Sequence, residues 1–143
     1  MKITQISVFL ENKAGQFAEV ASILAEADIN IRAISLADRS DFGVLRIIVN
    51  ENQKAAAALK SNGFSVTQTD VVAVAVSDRP GGLHHILAKL DQANLNVEYI
   101  YAFVRQRLDK AVMIFKFEDN DLALDLLKSN NIAVLSEKEL HAL

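Results

Sequence analysis

Asn12-Lys13-Ala14-Gly15-Gln16-Phe17, closing on Asp28-Ile29-Asn30-Ile31, is answered later in the chain by Asp78-Arg79-Pro80-Gly81-Gly82-Leu83, closing on Asn94-Leu95-Asn96-Val97. The two stretches lie 66 residues apart (81 − 15), and at that offset Val20 falls on Ile86, Leu24 on Leu90 and Ala27 on Ala93. A second echo sets Lys60-Ser61-Asn62-Gly63-Phe64-Ser65-Val66 against Lys128-Ser129-Asn130-Asn131-Ile132-Ala133-Val134, at an offset of 68 (128 − 60). An insertion of two residues (68 − 66) therefore separates the echoes in the second half. Self-similarity at a fixed spacing marks a duplicated supersecondary unit.

The periodicity around these loops repeats too. Residues 3–10 alternate, with Ile6, Val8 and Leu10 on one face and Gln5, Ser7 and Phe9 on the other, the period of a half-buried strand. Their counterparts at 71–76 put Val72, Val74 and Val76 opposite Ala73 and Ala75. Phe17, Val20, Ala21 and Leu24 recur at helical spacing, as do Leu83, Ile86, Leu87 and Leu90. Second strands are expected at 31–37 and 97–104, hairpins around 38–43 and 105–109, and third strands at 44–49 and 111–117. Helices follow at 53–62 and 121–130, then short strands at 65–69 and 133–135. Each half thus reads strand–helix–strand–strand–helix–strand. That is an α+β, ferredoxin-like βαββαβ unit with an antiparallel sheet and both helices on one face. The predicted domains are residues 1–69 and 70–143.

On this reading the other sheet face is bare. In the second half it carries Tyr99, Tyr101 and Phe103, because Ile100 aligns with a core-facing Ile34. Aromatic residues on an edge strand favour a homodimer that buries them. After the last strand, Ser136 and Glu139 have the spacing of a capping box.

Composition sets outer limits. The chain has 143 residues with 15 basic and 18 acidic side chains, a formal charge of −3, and an apolar content of 51% that favours a folded chain. Without a cysteine, no disulfide framework or thiolate chemistry is available. Residues 3–10 are too broken by polar side chains for a signal peptide, and no apolar run is long enough to span a bilayer. A cytoplasmic location and no membrane partner are expected. A mildly acidic chain with no basic block makes a poor nucleic-acid binder.

Chemistry is concentrated in the repeated loop. Helix N-termini present unpaired N–H groups and partial positive charge to a carboxylate. Gly15, Gly81 and Gly82 would let a ligand approach the backbone, and Asn12 and Asp78 offer oxygens to an ammonium group. Asn30 and Asn96 are expected beside the same helix end. Donors at one end and acceptors at the other suit a free α-amino acid. The competing reading is that Asn12 and Asp78 simply cap their helices.

The strand, the Asn/Asp-x-x-Gly-x-Phe/Leu loop, the helix and the Asn-Ile/Leu-Asn-Ile/Val turn resemble the ACT domain, present as two tandem copies over essentially the whole chain. Asp78-Arg79-Pro80-Gly81 is the stronger match; Asn12-Lys13-Ala14-Gly15 lacks a proline often found there. The resemblance implies a non-catalytic regulatory protein that binds a free amino acid. It implies ligand contacts from the glycine loop and the start of the second strand, commonly at an interface between ACT units. The implied binding residues are Asn12, Lys13, Gly15, Gln16, Phe17, Asn30 and Ile31 in one half. In the other they are Asp78, Arg79, Gly81, Gly82, Leu83, Asn96 and Val97. A separate enzyme of amino-acid metabolism is the implied partner. The alternatives are a ligand-free dimerisation scaffold, or a regulatory subunit of a biosynthetic enzyme such as acetolactate synthase.

No activated nucleophile or acid–base pair on a recognisable scaffold can be read here, so no catalytic residue is assigned. His84 and His85 point about 100° apart on a helix and cannot easily converge with His141 on a metal, so neither metal nor cofactor is expected. RNA-recognition modules share this fold but stack bases on aromatics of the central strands, where this chain has Ala73 and Ala75.

Overall fold

A computed structural model describes residues 1–38 and 41–143. The chain runs β1 (Ile3–Glu11), α1 (Gln16–Glu26), β2 (Ile31–Asp38), β3 (Phe42–Val49), α2 (Asn52–Ser61), β4 (Ser65–Ser77) and α3 (Gly82–Gln92). It continues through β5 (Val97–Ala102), β6 (Lys110–Phe117), α4 (Asn120–Ser129), β7 (Val134–Leu135) and a short α5 (Glu137–His141). Two compact units result: Thr4–Thr69, and Asp70–Leu143 with Met1–Ile3. The boundary falls inside β4, so the strands expected at 65–69 and 71–76 are one. Gln68-Thr69-Asp70-Val71 contains no glycine or proline to break it.

In the first unit β3 pairs antiparallel with both β1 and β2, Leu45 standing between Val8 and Leu36 and Ile47 between Ile6 and Ile34. Strand order is β2-β3-β1-β4. Ile6, Val8, Leu45 and Ile47 meet Val20 and Leu24 of α1 and Ala55 and Leu59 of α2 in one buried core. In the second unit β6 pairs with β4 and β5, and β7 pairs with β4, giving the order β5-β6-β4-β7. Val72, Val74, Phe115 and Phe117 there pack with Ile86 and Leu90 of α3 and Leu127 of α4. Each of the larger side chains contributes roughly 1.5–3 kcal/mol when fully buried.

Four helices stop by one device, which accounts for both sequence echoes. A residue in the left-handed conformation follows each: Asp28, Gly63, Asn94 and Asn131. The next N–H reaches back five residues: Ile29 to Leu24, Phe64 to Leu59, Leu95 to Leu90 and Ile132 to Leu127. This Schellman-type closure places an apolar residue just past the stop. Asn62 and Asn130 add side-chain amides to the carbonyls of Ala58 and Leu126, each at 2.8 Å. At the C-terminus the capping box is present, Ser136 Oγ accepting from the Glu139 N–H while the Glu139 carboxylate accepts from the Ser136 N–H.

Three expectations about faces change. The side away from the helices is not bare: Gln5, Ser7, Ala73 and Ala75 are all buried, and Gln5 Nε2 donates to Ser7 Oγ at 3.2 Å. Ile34 and Ile100 do share the helix-side face with Ile47 and Phe115, yet they are 37% and 39% exposed. They sit on edge strands of their units. Phe103 is already buried within a single chain, and Tyr99 and Tyr101, half-buried, stack with ring centroids 6.4 Å apart. Of the expected first hairpin, Arg39 and Ser40 lie outside the described residues.

Candidate functional site

The loop after β1 turns at once: the Lys13 N–H donates to the Glu11 carbonyl at 2.9 Å, and the Asn12 N–H to the Asp41 carbonyl at 3.0 Å. The loop after β4 repeats this, with the Arg79 N–H on the Ser77 carbonyl at 2.9 Å and the Asp78 N–H on the Asp109 carbonyl at 3.4 Å. Each turn delivers a glycine in the left-handed region as the N-cap, Gly15 at φ +91° and Gly81 at φ +83°. Neither α1 nor α3 has a side-chain cap, so Asn12 and Asp78 do not cap them. Among the described residues the N–H groups of Phe17 and Ala18, and of Leu83 and His84, find no hydrogen-bond partner. These are the orphan donors of a helix start, and they favour an anion.

The glycines do different work. A Cβ on Gly15 or Gly81 would meet open space, so glycine is needed there for its backbone conformation. Gly82 is buried, and a Cβ on it would overlap the carbonyl oxygen of Ser77. It lets the start of α3 pack against the end of β4 rather than making room for a ligand.

A cavity adjoins each loop. In the first unit it is about 310 Å³, bounded by Asn12, Lys13, Gln16 and Phe17 and, across from them, by Leu36, Ala37 and Gly43. Lys13 Nζ lies 3.0 Å from Glu11 Oε2, so the cation this wall has among the described residues is paired. In the second unit the cavity is about 480 Å³ and lies on the other side of the loop, bounded by Arg79, Gly81, Gly82, His85, Lys110 and the turn at 130–133. Asp78 is outside it, its Oδ2 accepting from Gln106 Nε2 at 2.9 Å.

The structure separates the other predicted site residues from these loops. Asn30 and Ile31 stand where the Asn30 N–H donates to Asn50 Oδ1 at 3.0 Å and Ile31 pairs with Val49. The glycine loop is at the opposite end of the sheet, where Leu10 pairs with Gly43. The length of β2 between them is roughly 23 Å at about 3.3 Å per residue. Asn96 and Val97 are likewise at the far end, Val97 opposite Phe117 and the Asn96 carbonyl accepting from the Glu118 N–H at 3.0 Å. Helix polarity carries the signal: a strand that follows a helix begins beside the helix's C-terminus. Sequence reading also missed Leu36 and Ala37 at the end of β2, and His85, Lys110 and the turn at 130–133. That turn is the second echo itself.

Among the described residues, no group of three His, Asp or Glu side chains gathers as metal ligands, and no helix is long and apolar enough to cross a membrane.

The profile of the ACT domain pair family matches residues 1–143. The protein BT0572 from Bacteroides thetaiotaomicron is 36% identical, with all of this chain and 98% of that one aligned at a TM-score of 0.92. The regulatory subunit of aspartate kinase from Thermus thermophilus, in a ligand-free form, is 19% identical over 88% of this chain and 91% of its own, with a TM-score of 0.62. Its counterpart from Thermus flavus is 17% identical over 87% and 88%, also at 0.62. At those identities the two kinase subunits speak to the fold alone. No curated protein matches the sequence.

Proposed function

The chain belongs to the ACT domain pair family, and from that premise we propose that it is a non-catalytic cytoplasmic regulator, sensing a free amino acid and modulating a separate enzyme of amino-acid metabolism. Residues 1–69 and 70–143 act as its two sensing domains. One observation carries the reading: in both units an uncapped helix opens on a left-handed glycine beside a cavity. The carboxylate of the ligand meets the N-terminus of α1 or α3. Its ammonium group meets the side-chain oxygen of Asn12 in the first unit and, in the second, where Asp78 stands outside the cavity, backbone carbonyls of the cavity wall.

Asn30 and Ile31 enter the first-unit site only from a second copy of the chain, and Asn96 and Val97 would come by the same pairing beside the end of the partner's β5. Antiparallel pairing of edge strands about a two-fold axis brings the start of one strand beside the end of its partner. The exposed apolar side chains Ile34, Leu36 and Ile100 on β2 and β5 favour that homodimer, since a bare edge is otherwise an aggregation hazard. Calorimetry against the proteinogenic amino acids tests the reading, with wild type, Asn12→Ala and Arg79→Ala, one residue from the wall of each cavity. A hydrogen bond to a charged group contributes about 1.5–3 kcal/mol, so the loop in use loses roughly tenfold or more in affinity when its residue is truncated. Absence of any binding tighter than millimolar, or binding indifferent to both substitutions, overturns it.

A further inference from the structure

The duplication gives each residue of the second-unit cavity wall a counterpart in the first unit, and the charges at those positions have diverged. Arg79 falls on Lys13 (79 − 13 = 66), His85 on Glu19 (85 − 19 = 66) and, past the insertion, Lys110 on Phe42 (110 − 42 = 68). Arg79, His85 and Lys110 come from a loop, a helix and a strand to border one space of about 480 Å³, and among the described residues no Asp or Glu borders it. Asp78 and Asp109 are neighbours in sequence but do not contribute to its wall. Neither Arg79 nor Lys110 has an ion-pair partner among the described residues. Lys13, in the other unit, is paired with Glu11.

Two permanent cations facing one concavity with no acid between them set up a field that concentrates anions. A single carboxylate neutralises one of them; a ligand bearing two negative groups satisfies both, and such charge-assisted hydrogen bonds are the strong ones. The geometry points to a ligand with two anionic groups in the second unit, held by Arg79 and Lys110: an amino acid with an acidic or phosphorylated side chain. The inference rests on the reading of this loop as an amino-acid site and adds the charge class of the ligand, which the first unit does not share.

Calorimetry on the intact chain at low salt with aspartate, asparagine, O-phosphoserine, serine and inorganic phosphate separates the cases. Aspartate or O-phosphoserine should bind at least about tenfold tighter than its neutral counterpart, the gain expected from one added charge-assisted bond. Whichever of the two leads identifies the anionic group. Arg79→Gln and Lys110→Gln, both at exposed positions, should abolish the preference while leaving the melting temperature in place. Equal binding of charged and neutral probes, or a preference that survives the double variant, overturns the charge assignment and leaves the amino-acid reading standing. Binding of inorganic phosphate alone, lost in Arg79→Gln, overturns the amino-acid reading and keeps the anion site. No binding by any probe overturns both.

Discussion

Gly82→Ala and Gly81→Ala are adjacent substitutions with opposite physics, and the structure ranks them. At Gly81 a methyl group enters open space, so the cost is that of holding an L-residue at φ +83°, about 1–2 kcal/mol. At Gly82 the backbone is helical and alanine is the better helix former, worth up to about 1 kcal/mol in its favour. Against that, the new methyl overlaps the Ser77 carbonyl oxygen and sits 2.9 Å from the carbonyl carbon. Both are backbone atoms at the end of β4, which cannot rotate away, so α3 must shift. With backbone on both sides of the overlap no side chain can yield, so the cost exceeds the roughly 1–3 kcal/mol usual for overpacking and reaches about 4 kcal/mol. About 3 kcal/mol remains after the propensity gain. Gly82→Ala should therefore be the worse of the two, by about 1 kcal/mol or more. At about 3–5 °C per kcal/mol for a chain of this size, thermal melts followed by circular dichroism resolve that difference. A Gly82→Ala protein as stable as wild type, or more stable than Gly81→Ala, would refute the packing role assigned to Gly82.

Phe115→Ala should cost about 3–5 kcal/mol in denaturant melts, because Phe115 is fully buried and stacks on Phe117 with centroids 5.1 Å apart. Ser136→Ala removes the capping-box acceptor and should cost about 0.5–2 kcal/mol, read as faster hydrogen exchange in α5 with the rest of the chain unchanged. The Ser136 backbone N–H, then its side chain, hold the Glu139 carboxyl below the usual glutamate range. That contribution is therefore present at neutral pH and lost as the pH falls through the lowered value, and α5 amides should lose protection in acid. Leu36→Lys, at a half-exposed edge position, should leave the monomer's stability within about 0.5 kcal/mol and abolish the proposed dimer in light scattering; an unchanged molecular mass would exclude β2 from the interface.

Local patterns were legible in the residues themselves. The βαββαβ order, the helix stops at Asp28 and Asn94 and the Ser136–Glu139 box all depend on neighbours within about one helical turn or on the two-residue period of a strand. The duplication is the recurrence of those local patterns at a fixed offset. Sequence therefore determined the fold class of both units and the face on which each strand residue stands. Whether a side chain on that face is covered was decided by tertiary structure: Ile34 and Ile47 share a side, but Ile47 is buried in the core while Ile34, on the edge strand, stays 37% exposed. The same holds for the site. The loop sequences announced glycines and polar groups, but the direction of β2 put Asn30 at the far end of the sheet from them within one chain. Likewise, that Arg79 and Lys110, 31 positions apart (110 − 79), border one cavity appears only once β6 pairs with β4. Periodicity constrains orientation about a strand or helix axis; proximity between distant residues is set by which strands pair and in what register, and those contacts are written in no single stretch of the chain.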